Sequence, residues 1–109
     1  MMTQSADILD ALFAEIQAKS RDTAENSYTA SLLADGPEKP IRKLSEETTE
    51  TIIEALKGDK SALVKESADL LYHLLVVWQA GGISADEVWQ ELANRRGVSG
   101  HVEKASRQT

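Results

Sequence analysis

The residues best equipped for chemistry are carboxylates. Glu46, Glu47, Glu50 and Glu54 crowd one stretch, Glu66 and Asp69 follow, and no Lys or Arg stands between Lys43 and Lys57. Glu47 and Glu50 are three apart, as are Glu66 and Asp69, so on helices each pair projects from one face. Like charges this close cost about 0.2–0.5 kcal/mol per exposed pair, and more once desolvated. A hard divalent cation offsets that cost. Magnesium takes oxygen ligands while keeping waters and substrate phosphates in its shell, and manganese commonly substitutes. Carboxylates, cation and a phosphate chain together suit attack by water on a phosphoanhydride. The competing reading is a plain solvated acidic helix face.

The elements that must position these groups read as helices. Ile8, Leu9, Leu12, Phe13 and Ile16 recur at helical spacing after a Ser5 or Thr3 cap, giving a first helix to about Ser20. Tyr28, Leu32 and Leu33 predict a short second helix ending at Asp35-Gly36. A third helix starts around Pro37 and Pro40, where a missing N–H is harmless, and runs to Lys57. Gly58 suits its C-terminal stop and Asp59 caps a fourth helix, which runs to about Ala80 before Gly81-Gly82. Ser84 caps a fifth, ending near Gly97, and the segment 97–109, poor in apolar residues, is expected to be a loop or mobile.

No segment alternates as a half-buried strand does. The expected fold is therefore all-α, a bundle of four to five helices built on an antiparallel αα-hairpin of the third and fourth. Glu50 and Glu66 lie nearly equal distances either side of the Gly58-Asp59 turn, as do Glu47 and Asp69. Each pair is thus matched in height to within about one residue, or about 1.5 Å of helix rise. Spacing fixes the height; that the faces turn toward each other is an assumption. The run from Leu70 to Trp78 is apolar almost all round, which demands burial on every side and predicts a core completed by homodimerisation.

Other residues carry weaker signals. His73, four after Asp69, has possible ligand spacing, but its apolar neighbours favour a core or interface histidine. No Glu-x-x-His pair, glycine-rich phosphate loop or nucleophilic triad is recognisable. Lys39, Arg42 and Lys43, just before the acidic run, are either surface charges or phosphate contacts. Tyr28 can pack or stack on a base, and Trp78 and Trp89 are expected in the core.

A length of 109 residues predicts one small domain over 1–109, and the absence of cysteine rules out disulfides and thiolate zinc and points to a reducing cytoplasm. No apolar run reaches the roughly 20 residues a membrane span needs, and no signal-peptide pattern is expected. The net charge of −6 disfavours binding to long nucleic acids. That charge is uneven: 17 acidic against 8 basic side chains over 1–91, but 1 against 4 over 92–109.

Glu46-Glu47-x-x-Glu50 followed by Glu66-x-x-Asp69 resembles the acidic signature of the MazG-like all-α nucleoside triphosphate pyrophosphohydrolase superfamily. Ser27-Tyr28-Thr29-Ala30-x-Leu32-Leu33-x-x-Gly36, then Lys39 and Lys43, is similar to the phosphoribosyl-ATP pyrophosphohydrolase family of histidine biosynthesis. So are Asp69-Leu-Leu-Tyr-His-Leu-Leu-Val and the tail Arg95-Arg96-Gly97-Val98-Ser99-Gly100-x-x-Glu103-Lys104. Ser45 and Thr48 stand where that family more often has glycine and alanine.

The resemblance implies magnesium-dependent hydrolysis of 1-(5-phosphoribosyl)-ATP to 1-(5-phosphoribosyl)-AMP and pyrophosphate. It implies that Glu47, Glu50, Glu66 and Asp69 hold the metal and that Glu46 orients or deprotonates the attacking water. Lys39, Arg42 and Lys43 are then expected at substrate phosphates, with Arg95, Arg96 and Lys104 near the additional ribose phosphate. Two rivals are a house-cleaning pyrophosphohydrolase of noncanonical dNTPs, which needs neither the Ser-Tyr-Thr block nor the basic tail, and a non-catalytic helical dimerisation module.

Overall fold

The computed structural model describes residues 5–107, without the side chain of Glu103. Six helices follow in order: α1 (Asp7–Lys19), α2 (Tyr28–Leu33), α3 (Glu38–Lys57), α4 (Lys60–Gly81), α5 (Ala85–Arg95) and α6 (Gly100–Arg107). No strand occurs among the described residues. The all-α expectation holds, and its hairpin is the dominant packing, α3 against α4.

Local chemistry explains most of the boundaries. The N-cap of α1 is Ala6, without a side-chain cap, and not the expected Ser5, whose Oγ accepts from the Asp7 N–H at 3.3 Å; the alternative, Thr3, lies outside the described residues. Ser27 Oγ accepts from the Ala30 N–H at 3.1 Å and starts α2. At the hairpin turn Gly58 takes φ = +74°, a left-handed conformation that a side chain resists, and its N–H bonds back to Glu54 and Ala55. Asp59 Oδ1 then accepts from the Ala62 N–H at 3.0 Å. Ser84 and Glu87 form a reciprocal capping box at α5.

The tail departs from the expected loop. Residues 100–107 form α6, started by Ser99 Oγ, which accepts from the Val102 N–H at 3.2 Å, with Lys104 and Arg107 in the last turn, where cations suit the helix dipole. Low apolar content concealed it, because its support is local capping and not core burial.

The core joins Phe13 and Ile16 of α1, Leu32 of α2, Leu75 and Val76 of α4, and Ala85 of α5. Trp78 and Trp89 meet edge to face at 5.7 Å beside it, and Trp89 Nε1 donates to Asp10 Oδ1 at 2.6 Å. The apolar α4 is only partly covered within one chain: Leu75 and Val76 are sealed, but Leu71 is 43% exposed. Ile52, Ile53, Leu56 and Val64 on the hairpin are exposed as well.

Candidate metal centre and active site

The hairpin brings the matched carboxylates together. Glu47, Glu66 and Asp69 each offer an oxygen within 4.8 Å of the other two. Glu50 adjoins this trio, interacting directly with Glu47 and Glu66. Thr51 ties the two helices at this height: its hydroxyl bonds to the Glu47 carbonyl at 2.7 Å and reaches the Glu66 carbonyl of α4 at 3.3 Å.

The electrostatics are those of crowded anions. A hydrogen bond shared with Glu50, then burial, then the charges of Glu50, Asp69 and Glu47 push the Glu66 carboxyl up to about 7. Burial, followed by the Glu50 charge, raises Glu47. When all these groups are ionised none can donate. Glu47 Oε2 and Glu66 Oε2 are then buried without a hydrogen-bond partner; the Glu50–Glu66 bond exists only if the pair shares a proton. Buried, unpartnered carboxylate oxygens in an all-oxygen donor set fit a hard divalent cation. Acidic residues at matched height provide the position; their unsatisfied lone pairs provide the fit.

The remaining expected residues fall into three groups. Glu46 is exposed, and Lys43 Nζ holds its carboxylate at 3.0 Å; that bond is the main cause of a raised Lys43 pKa. Arg42 and Lys39 are exposed about one and two turns before Glu46 on α3. Tyr28 stays 56% exposed although its helix is otherwise largely buried, and it lies beside Tyr72 and His73 at 6.2 Å from each ring. Arg95 bonds Glu91 one turn back on α5, and Arg96 and Lys104 are exposed. None of these three is among the groups whose charges chiefly shift Glu47 or Glu66.

His73 is buried, as its apolar neighbours suggest, yet it also faces the site. Its Nε2 lies 3.9 Å from Glu47 Oε1, and burial followed by the nearby Lys43 charge lowers its pKa, favouring the neutral ring. Spacing from Asp69 was the available signal, but only packing shows that a core histidine also borders Glu47. Thr51 gave no comparable signal, since a threonine among glutamates is ordinary helix surface until the partner helix is in place.

An all-α hairpin presenting converged carboxylates defines a class able to hold a hard cation and, through it, a phosphate chain. The model of the family described as phosphoribosyl-ATP pyrophosphohydrolase matches residues 9–96. A protein named phosphoribosyl-ATP pyrophosphatase from Azospirillum brasilense is 49% identical over 105 residues, covering 96% of this chain and 95% of its own. One of the same name from Ruegeria pomeroyi is 51% identical over 100 residues, covering 92% and 95%. The chain belongs to the phosphoribosyl-ATP pyrophosphohydrolase family.

Proposed function

We propose that this protein hydrolyses 1-(5-phosphoribosyl)-ATP to 1-(5-phosphoribosyl)-AMP and pyrophosphate in histidine biosynthesis. Family membership selects the substrate; the observation that carries the chemistry is the trio of Glu47, Glu66 and Asp69 oxygens within 4.8 Å of one another, two of whose carboxylates have buried, unpartnered oxygens. Glu47, Glu50, Glu66 and Asp69 hold magnesium, for which manganese can substitute. The cation supplies charge neutralisation of the triphosphate and of the leaving pyrophosphate.

The chain's own groups do the rest. Glu46, oriented by Lys43, takes the proton of the attacking water. As the new P–O bond forms, the anhydride between the α- and β-phosphoryl groups breaks and pyrophosphate departs. Lys39, Arg42 and Lys43 contact phosphate oxygens, and Tyr28 contacts the nucleoside. Arg95, Arg96 and Lys104 are available for the additional ribose phosphate. The whole of 1–109 acts as one domain in the cytoplasm; no helix among the described residues is long and apolar enough to cross a membrane.

The working unit is a homodimer. Ile52, Leu56, Val64 and Leu71 leave apolar side chains exposed on the hairpin, and a second copy can cover them. Nucleic acid is not a partner of an acidic body of this kind.

The test is thermal unfolding with manganese or magnesium, read beside turnover of phosphoribosyl-ATP. A site-bound cation at a hundredfold its Kd stabilises by about 2.7 kcal/mol. No shift and no turnover refute the proposal, and a clear preference for a dNTP redirects it to the house-cleaning class.

A further inference from the structure

A cleft of about 390 Å³ opens between the end of α1, the loop leading to α2, and α4. Lys19, Asp22, Asn26, Tyr28, Thr29 and Tyr72 line it. Its volume falls within the range of small-molecule sites. One ring separates it from the carboxylates: Tyr28 lies 6.2 Å from the His73 ring, and His73 Nε2 lies 3.9 Å from Glu47.

We propose that this cleft is the subsite for the nucleoside end of the substrate, with the base against the Tyr28 and Tyr72 wall and the monophosphate of the phosphoribosyl group at Lys19. This rests on the function proposed above. The wall is preorganised: the rings of Tyr28 and Tyr72 are nearly parallel, 20° apart, and the Tyr72 hydroxyl is fixed to Thr29 Oγ1 at 2.6 Å. Tyr72, held by that bond, backs the exposed Tyr28 ring, and a tyrosine side chain with few rotatable bonds loses little entropy when a flat heterocycle covers it. Lys19 brings a cation to this cleft, and none of the ion pairs found among the described residues involves it. Asn26 offers an amide able to donate and accept at the base edge or ribose hydroxyls. Asp22, oriented by accepting from the Thr23 N–H at 2.8 Å, can accept from the exocyclic nitrogen of a base alkylated at N1. Arg95, Arg96 and Lys104 do not line this cleft, so in this placement Lys19 takes the phosphate otherwise assigned to them.

The experiment measures product inhibition of the full-length protein with magnesium, comparing phosphoribosyl-AMP with AMP, which lacks the whole phosphoribosyl group. Wild-type protein should bind phosphoribosyl-AMP more tightly. Lys19→Gln should raise its Ki about tenfold, the loss of one charge-assisted contact, while changing that for AMP much less. Tyr28→Ala should weaken both ligands, and Tyr28→Phe should restore them. Unchanged Ki values in Lys19→Gln and Tyr28→Ala, or equal weakening of both ligands by Lys19→Gln, would overturn the subsite while wild-type turnover still upheld the reaction. Absent turnover of phosphoribosyl-ATP by wild-type protein overturns both.

Discussion

Glu66 is the carboxylate most displaced from ordinary behaviour, raised from 4.5 to about 7 chiefly by the bond it shares with Glu50. Between those values the unfolded chain has lost the proton that the folded chain retains, so metal-free stability falls as pH rises through this window. Metal affinity moves the opposite way, because a bound cation requires the ionised form and displaces the proton. Titrating manganese between pH 5 and 8 should show binding that tightens to about pH 7 and then levels off, with proton release on the acid side. Affinity that weakens with rising pH over that span contradicts this placement of the metal. At this scale part was legible: residue type and spacing matched Glu47 with Asp69 and Glu50 with Glu66 in height, and the hairpin brings oxygens of Glu47, Glu66 and Asp69 together. The contact of His73 with Glu47 was not, since the two are far apart in sequence and only the packing of α3 on α4 joins them.

Among the helices, the α3–α4 hairpin converts spacing into a site. The Gly58-Asp59 turn sets the register, and Gly58 at φ = +74° is a position where a Cβ meets no neighbour but strains the backbone. Gly58→Ala should therefore cost about 1 kcal/mol without a clash, measurable by chemical denaturation. Thr51→Val removes the hydroxyl that reaches both helices while keeping the shape. Weaker manganese binding with little change in unfolding free energy is the expected result, and unaltered binding would remove Thr51 from the positioning scheme. The hairpin was readable because its punctuation is local: a glycine stop, an aspartate cap and a short turn. α6 was not legible in this way because it has little apolar periodicity; Ser99 and the basic last turn support it instead.

Taken whole, the molecule divides into a sealed core and an unsealed hairpin face. Leu75 is almost completely buried among α1, α2 and α5, so Leu75→Ala should cost about 2–5 kcal/mol through lost transfer energy and a residual cavity. Leu56 and Val64, 84% and 70% exposed, behave differently. If a second copy covers them, Val64→Glu should convert a species of about twice the 11.9 kDa chain into one of single mass by light scattering. A wild-type protein of single mass at all concentrations would reject the dimer. Excess apolar surface on α4 was visible in the sequence, but how much one chain covers was not, because that depends on how α1 and α5 lie across it. The acidic balance also gained a meaning: a net charge of −6 that disfavours long polyanions is concentrated partly in a cluster suited to a cation, and thereby to a short phosphate chain.

The central claim is that these carboxylates hold the cation used to hydrolyse phosphoribosyl-ATP. Its most direct measurement is kcat/KM for that substrate as magnesium is titrated into metal-stripped protein, wild type beside Asp69→Asn. Expected are no turnover without the cation, saturable activation in the wild type, and a loss of about a hundredfold or more in the variant at the same magnesium concentration, the scale of removing a transition-state charge stabiliser. Turnover that persists in the stripped enzyme, or an Asp69→Asn variant as active as wild type, would contradict it.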